Sequence, residues 1–218
     1  FLEEVREVAE RYTVLRDGRS VGRGLLKDVT ERDLVRLMVD RDVEDLFPRV
    51  PHEMGDVLLR IDKLSGLRSP RHVSLELRRG EILGITGLVG AGRTELLRCL
   101  FGLNEVQSGT VKIGLLEARA TPRARIRAGL GFVSEDRKGE GLAPVRSIAD
   151  NMTYSRLSPY SRGGWLRLGR RRTEVQQWMD RLRVKARSPE QAVAELSGGN
   201  QQKVALARVL HQDADIFL

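Results

Sequence analysis

Two short stretches of this chain place glycine, hydroxyl and basic residues where an anion could dock. Residues 196–204 read Leu-Ser-Gly-Gly-Asn-Gln-Gln-Lys-Val. Ser197 offers a hydroxyl and an N-cap to a helix expected over about Asn200–Leu210. Gly198 and Gly199 let a ligand approach the backbone with no Cβ in the way. The positive end of the helix dipole then faces that ligand. A lone stretch of this kind is more often an ordinary capped helix behind a flexible turn.

The second stretch removes that isolation. Gly87-Leu88-Val89-Gly90-Ala91-Gly92-Arg93-Thr94 follows an apolar run and precedes a helical pattern. It has the spacing of a phosphate-binding loop: glycine, four residues, glycine, a basic residue, then Ser or Thr. Successive backbone N–H groups in such a loop form a concave nest for a polyphosphate, and Thr94 would offer its hydroxyl to Mg2+. Arg93 departs from the pattern, which wants lysine. A planar, forked guanidinium is no isosteric replacement for a compact ammonium, so the loop is expected to bind nucleotide while hydrolysing it poorly.

These motifs need elements to hold them. A helix (Leu2–Glu10), a strand (Arg11–Arg16), an Asp17-Gly18 hairpin turn and a strand near Arg19–Gly24 open the chain. Thr30 and Asp33 form a capping-box pattern for a helix through about Val39. The stretch 46–55, with Pro48, Pro51 and Gly55, reads as a linker. Strands are then expected at 57–61 and 73–77, with a buried strand at Ile82–Thr86 feeding the glycine loop. A helix at Thr94–Phe101, a strand at Thr110–Ile113, a helix at Pro122–Ala128 and a strand at Leu130–Ser134 follow. A helical region covers 145–184, clearest at Arg172–Leu182, and Asp215–Leu218 reads as a strand. The order strand, phosphate loop, helix and returning strand implies an α/β domain.

Composition sets limits on these readings. The 218 residues suffice for one domain or for a domain with a piece of another. No apolar run has the length of a membrane span. Cys99 is the single cysteine, which excludes a disulfide within the chain and fits a reducing compartment. The net charge is +8, and Lys occurs only at positions 27, 63, 112, 138, 185 and 203, so arginine dominates. A solvated basic surface is preferred over a nucleic-acid surface, because the few aromatics are not interleaved with the charges. The opening at Phe1 and the strand pattern at 215–218 read as an internal piece of a longer chain.

With both motifs and their order in view, the chain resembles the ATP-binding subunits of ABC transporters, and more narrowly the duplicated subunits of bacterial monosaccharide importers of the ribose, galactose, xylose and autoinducer-2 type. Gly87–Thr94 is similar to the Walker A loop of the second nucleotide-binding domain of that group, where Arg for Lys is usual. Leu196, Ser197, Gly198, Gly199, Asn200 and Gln201 match the ABC signature. Gly131-Phe132-Val133-Ser134-Glu135-Asp136-Arg137-Lys138 resembles the group's Q-loop, with Glu135 in place of the usual Gln. The resemblance implies an α/β P-loop NTPase of ABC type, with an antiparallel β subdomain and a helical subdomain, truncated before Walker B. It implies residues 1–46 as the tail of a first nucleotide-binding domain, 47–55 as linker, and 56–218 as an incomplete second domain. His52, His72 and His211 match no switch histidine and are read as structural or surface residues. No aromatic precedes Gly87 where an adenine-stacking residue would stand.

The same resemblance implies ATP and Mg2+ as cofactors. ATP would contact Gly87, Leu88, Val89, Gly90, Ala91, Gly92, Arg93 and Thr94, with Thr94 and Glu135 as the Mg2+ residues. No catalytic set is complete in the chain, and the 218 residues alone are expected to be inactive. In the family two such domains meet head to tail, each ATP lying between one Walker A loop and the other domain's signature. The implied partners are transmembrane permease subunits, a periplasmic or extracellular sugar-binding protein reached through them, and the rest of the duplicated chain, with no nucleic acid. The implied location is the cytoplasmic face of the plasma membrane. Residues from Glu135 through the helical region would face the permease, and Arg162, Arg167 and Arg170–Arg172 could lie near the leaflet. The competing readings are a soluble ABC protein acting on ribosomes or DNA, and a regulatory nucleotide-binding module.

Overall fold

The computed structural model describes residues 2–16, 18–39, 53–114, 116–117 and 121–218. The chain divides into two compact units, Phe1–Glu53 and Met54–Leu218. Asp17 of the expected turn, His52, and most of the expected linker lie outside the described residues.

In the first unit, α1 (Leu2–Val8) leads into an antiparallel pair, β1 (Arg11–Arg16) and β2 (Arg19–Leu25), and then α2 (Glu31–Val39). The capping box forms as the sequence predicts: Asp33 N donates to Thr30 Oγ1 at 3.2 Å, and Thr30 N donates back to the Asp33 carboxylate at 3.2 Å. Val14, Leu26 and Leu34 make the small core between pair and helix.

The second unit carries two apolar cores. The first lies under an antiparallel sheet in the order β4-β3-β5-β6, formed by Val73–Arg78, Val57–Gly66, Val106–Ile113 and Leu116–Glu117. In β3, Leu59 faces Ile113, and Ile61 faces both Val111 and Leu75. Helix α3 (Arg93–Phe101) lays Leu96, Cys99 and Leu100 on this core, an i, i+3, i+4 stripe that a helix presents on one face. Burial raises the Cys99 thiol pKa, so the residue behaves as a small apolar filler. After α4 (Pro122–Arg127), the short strands β7 (Leu130–Gly131) and β10 (Ile216–Phe217) pair in parallel, and Leu130 and Ile216 join the same core.

The second core belongs to α5 (Ile148–Thr153), α6 (Leu168–Arg181) and α7 (Gly198–His211), through Ile148, Met152, Val175, Met179, Val204 and Ala207. Asn151 is buried beside it and ties the preceding loop. Its Oδ1 accepts from Ala143 N at 2.7 Å, and its Nδ2 donates to Ala143 O at 3.0 Å and Ser147 O at 2.9 Å. At the far end of α7, His211 Nε2 lies 2.6 Å from the Tyr160 hydroxyl and 3.8 Å from Glu174 Oε1. Burial lowers the His211 pKa and raises that of Tyr160.

Two expectations fail here. Residues 82–86 are not a buried strand: they form no ladder among the described residues, and Ile82 is 91% exposed. Leu83 and Ile85 instead line an open groove of about 600 Å³ with Leu77, Leu97 and Ile216–Leu218. A largely apolar run suits a central strand only when neighbouring backbones supply its hydrogen bonds, and among the described residues β10 is bonded to β7 alone. The region 145–184 is also not helical throughout. It contains a hairpin, β8 (Ser161–Arg162) with β9 (Trp165–Leu166), turned by Gly163 and Gly164 at φ 57° and 83°. Positive φ at both turn residues is the signature of a tight hairpin that glycine favours.

Replacing the buried Asn151 with alanine leaves the half-buried Ala143 backbone groups without these partners, so unfolding free energy from urea titration is expected to fall by about 1–3 kcal/mol. The His211 contribution has a definite sign. Its folded pKa lies below the unfolded value of about 6.5, so stability is complete above that value. It declines as pH falls through and below it, by up to ~1.4 kcal/mol per pH unit. Urea titrations at pH 7 and pH 5 should show a smaller acid loss for His211→Gln than for the unaltered chain.

Candidate nucleotide-binding site

The glycine loop is built by backbone geometry. Gly90 and Gly92 hold φ of 83° and 92°, in the left-handed region that residues with a Cβ avoid. A Cβ on Gly92 would lie 2.1 Å from Ser69 Oγ, and one on Gly87 would lie 2.9 Å from Ala91 Cβ. Ala91 N donates to Leu88 O at 3.0 Å and closes the turn, which leaves Leu88 and Val89 in solvent. Gly92, buried, is the N-cap of α3 and has no side chain with which to cap it, so the first-turn N–H groups gain no cap from that position. Arg93 is exposed and Thr94 is half-buried on that first turn.

The signature forms the start of α7. Ser197 stands at the N-cap position, as the sequence predicts, but its hydroxyl makes no backbone cap and accepts from Asn200 Nδ2 at 2.8 Å. The helix begins at Gly198, two residues earlier than expected. Asn200 Oδ1 accepts from Lys185 N at 2.8 Å, and Gln201 Nε2 reaches Val193 O and Leu196 O, both at 3.2 Å. Asn200 and Gln201 thus spend their side chains on the protein and shape the turn, while Leu196 is buried in the second core. Gly198 and Gly199 supply open backbone.

By contrast, α4 and α5 are closed by the side chains of Thr121 and Ser147. Helix α6, behind Arg167, is uncapped as well. Openness alone therefore does not mark a site; α3 and α7 differ from α6 in following a glycine loop and a Ser-Gly-Gly turn. The two elements are rooted in different cores, the loop's helix in the sheet core and the signature in the helical core.

Glu135 is exposed, and its carbonyl accepts from Arg137 N at 3.1 Å. The turn that follows, Arg137–Gly141, is a single π-helical turn in which Gly141 N donates to Asp136 O at 2.8 Å. From it Arg137 Nη1 donates to Gly198 O at 2.6 Å, so the Q-loop-like segment touches the signature directly. The sequence reading missed this contact across 61 residues; the run Glu-Asp-Arg-Lys was its only trace. Of the basic residues expected near a leaflet, Arg171 pairs with Asp150 at 3.0 Å and Arg172 with Glu190 at 3.2 Å. His72 is exposed and His211 buried. Among the described residues no helix is long and apolar enough to cross a membrane.

The chain is 49% identical over 213 residues to the ribose import ATP-binding protein RbsA 1 of Rubrobacter xylanophilus, covering 95% of this chain and 42% of that protein. It is 43% identical to the arabinose import ATP-binding protein AraG of Azospirillum brasilense, covering 100% of this chain and 42% of the relative. It is 38% identical to the xylose import ATP-binding protein XylG of Brucella abortus, covering 100% and 44%. The chain thus spans less than half the length of these curated relatives. Its fold is similar to that of the ATP-binding cassette MJ0796 in a post-hydrolysis dimer bound to ADP and Pi, with a TM-score of 0.60 at 22% identity over 73% of this chain and 72% of that one. Residues 70–218 match the family described as ABC transporter, and the chain belongs to that family.

Proposed function

We propose that the chain is part of the ATP-binding, energy-coupling subunit of a bacterial ABC importer for a monosaccharide or similar small sugar. The observation that carries this reading is the pairing of an intact signature turn at Ser197–Gly199 with a glycine loop whose basic residue is Arg93. The relatives' names, all of them sugar import proteins, support the substrate class and give no support to a ribosome- or DNA-acting protein. Residues 1–46 then belong to a preceding nucleotide-binding domain and 56–218 to a second one.

The residues present fit a nucleotide. The left-handed glycines at 90 and 92 and the open first turn of α3 suit a polyphosphate. Thr94 Oγ1 is the hydroxyl on hand for Mg2+, which would neutralise phosphate charge. Arg93 can meet phosphate oxygens, but its longer forked head does not reproduce a lysine's point charge, so this loop serves binding more than turnover. Ser197, Gly198 and Gly199 would act on ATP held by the companion domain, where aligned N–H groups stabilise the terminal phosphate as it separates. Transmembrane permease subunits at the cytoplasmic face of the membrane, and a sugar-binding protein beyond them, complete the proposed assembly.

The test compares two substitutions in the complete protein with its permease. Ser197→Arg fills the signature turn and is expected to reduce ATP turnover by about 100-fold or more, the size seen when a preorganised phosphate or oxyanion contact is lost. Arg93→Ala should leave at least a third of the turnover. Equal losses from the two would overturn the division of labour between loop and signature, and full activity in Ser197→Arg would overturn the functional reading.

A further inference from the structure

The signature turn is held by more than its own sequence. Arg137 sits at the start of the π-helical turn, half-buried, and its Nη1 donates to Gly198 O at 2.6 Å. A Cβ on Gly198 would lie 3.5 Å from Nη1 and 3.9 Å from Nη2, so the guanidinium sits in van der Waals contact range of that position. This is an unusual place for a cation. A positive group beside a helix N-terminus opposes the macrodipole, so the fold alone gains less from Arg137 than it would from a neutral or acidic residue there.

The other end of the same turn is anchored too. Glu140 accepts from Arg98 Nη1 through Oε1 and from Ser134 Oγ at 3.1 Å through Oε2. Arg98 lies on α3, the helix that starts at the glycine loop, and its Nε is fixed by Asn104 Oδ1 at 3.0 Å. Within the turn, Asp136 Oδ1 accepts from Gly139 N at 2.9 Å, and Asp136 N donates to Ser134 Oγ at 3.2 Å. A continuous polar path therefore runs from the phosphate-loop helix to the signature: Arg98, Glu140, the π-helical turn, Arg137, Gly198. It crosses between the two apolar cores, where packing alone gives no directional link.

We propose that Arg137 is a positioning residue for the signature: gripping the Gly198 carbonyl from a turn that Glu140 and Arg98 hold to α3, it fixes the Ser197–Gly199 backbone in the conformation that receives a nucleotide phosphate. This rests on the functional reading above. A charge-assisted hydrogen bond to a backbone carbonyl has the direction and strength for this task. The added positive charge lowers the cost of bringing a terminal phosphate to the same turn, which offsets its conflict with the dipole.

The experiment uses the complete protein with its permease and measures ATP turnover, the KM for ATP and thermal unfolding for Arg137→Ala, Arg137→Lys and Glu140→Gln. Arg137→Ala is expected to lower kcat about tenfold or more, with KM within about twofold and the melting temperature little changed. Arg137→Lys, which keeps one charged donor, should recover at least a third of the lost activity, and Glu140→Gln should show a smaller loss of kcat of the same kind. The proposal is overturned if Arg137→Ala keeps more than half of the wild-type kcat, or if its loss follows a lowered melting temperature that lysine does not correct. Should Arg137→Ala fail to fold, unchanged kcat in both Arg137→Lys and Glu140→Gln overturns it. A silent Arg137→Ala beside an inactive Ser197→Arg refutes this inference alone, whereas an active Ser197→Arg refutes the reading beneath it.

Discussion

A helix leaves its first N–H groups without partners inside the helix, and what satisfies them decides what the helix is for. In this chain, α4 and α5 answer with their own side chains, Thr121 and Ser147, and serve as packing elements. Helices α3 and α7 do not: Gly92 has no side chain to offer, and the Ser197 hydroxyl is engaged by Asn200. Donors left open in this way, behind glycines that allow close approach, favour an anion. The sheet core, the helical core and the loops between them hold those two helix starts in place.

The cost of keeping such turns open falls on the residues around them. Gly90 and Gly92 occupy backbone conformations that other residues adopt only with strain, and Ser69 fills the space a Cβ on Gly92 would need. The signature solves the same problem with side chains. Asn200 binds the Lys185 backbone, and Gln201 binds the carbonyls at 193 and 196. The glycines at 198 and 199 are therefore flexible by type and fixed by context, which is the form of preorganisation a phosphate contact requires.

Much of this was legible in the sequence, because it is local. The glycine loop, the signature and the capping box at Thr30 all depend on residues within a few positions of one another. The misreadings fell where partners are distant or where one pattern serves two structures. Residues 82–86 are as apolar as any central strand, and only missing backbone partners distinguish them from chain lying along a groove. The hairpin at 161–166 had its mark in Gly163-Gly164, hidden inside a region read as helical. The grip of Arg137 on Gly198 spans two cores, and no spacing rule announces it.

Helix α7 has a mechanical consequence. Its first turn is clamped by Arg137, and its last residue, His211, is wedged against Tyr160 and Glu174 in the interior. Its 14 residues put those ends about 20 Å apart. A rod fastened at both tips is less free to fray at either end. The glycines at one tip and the buried tyrosine–histidine contact at the other are thus the two fixed ends of one continuous rod.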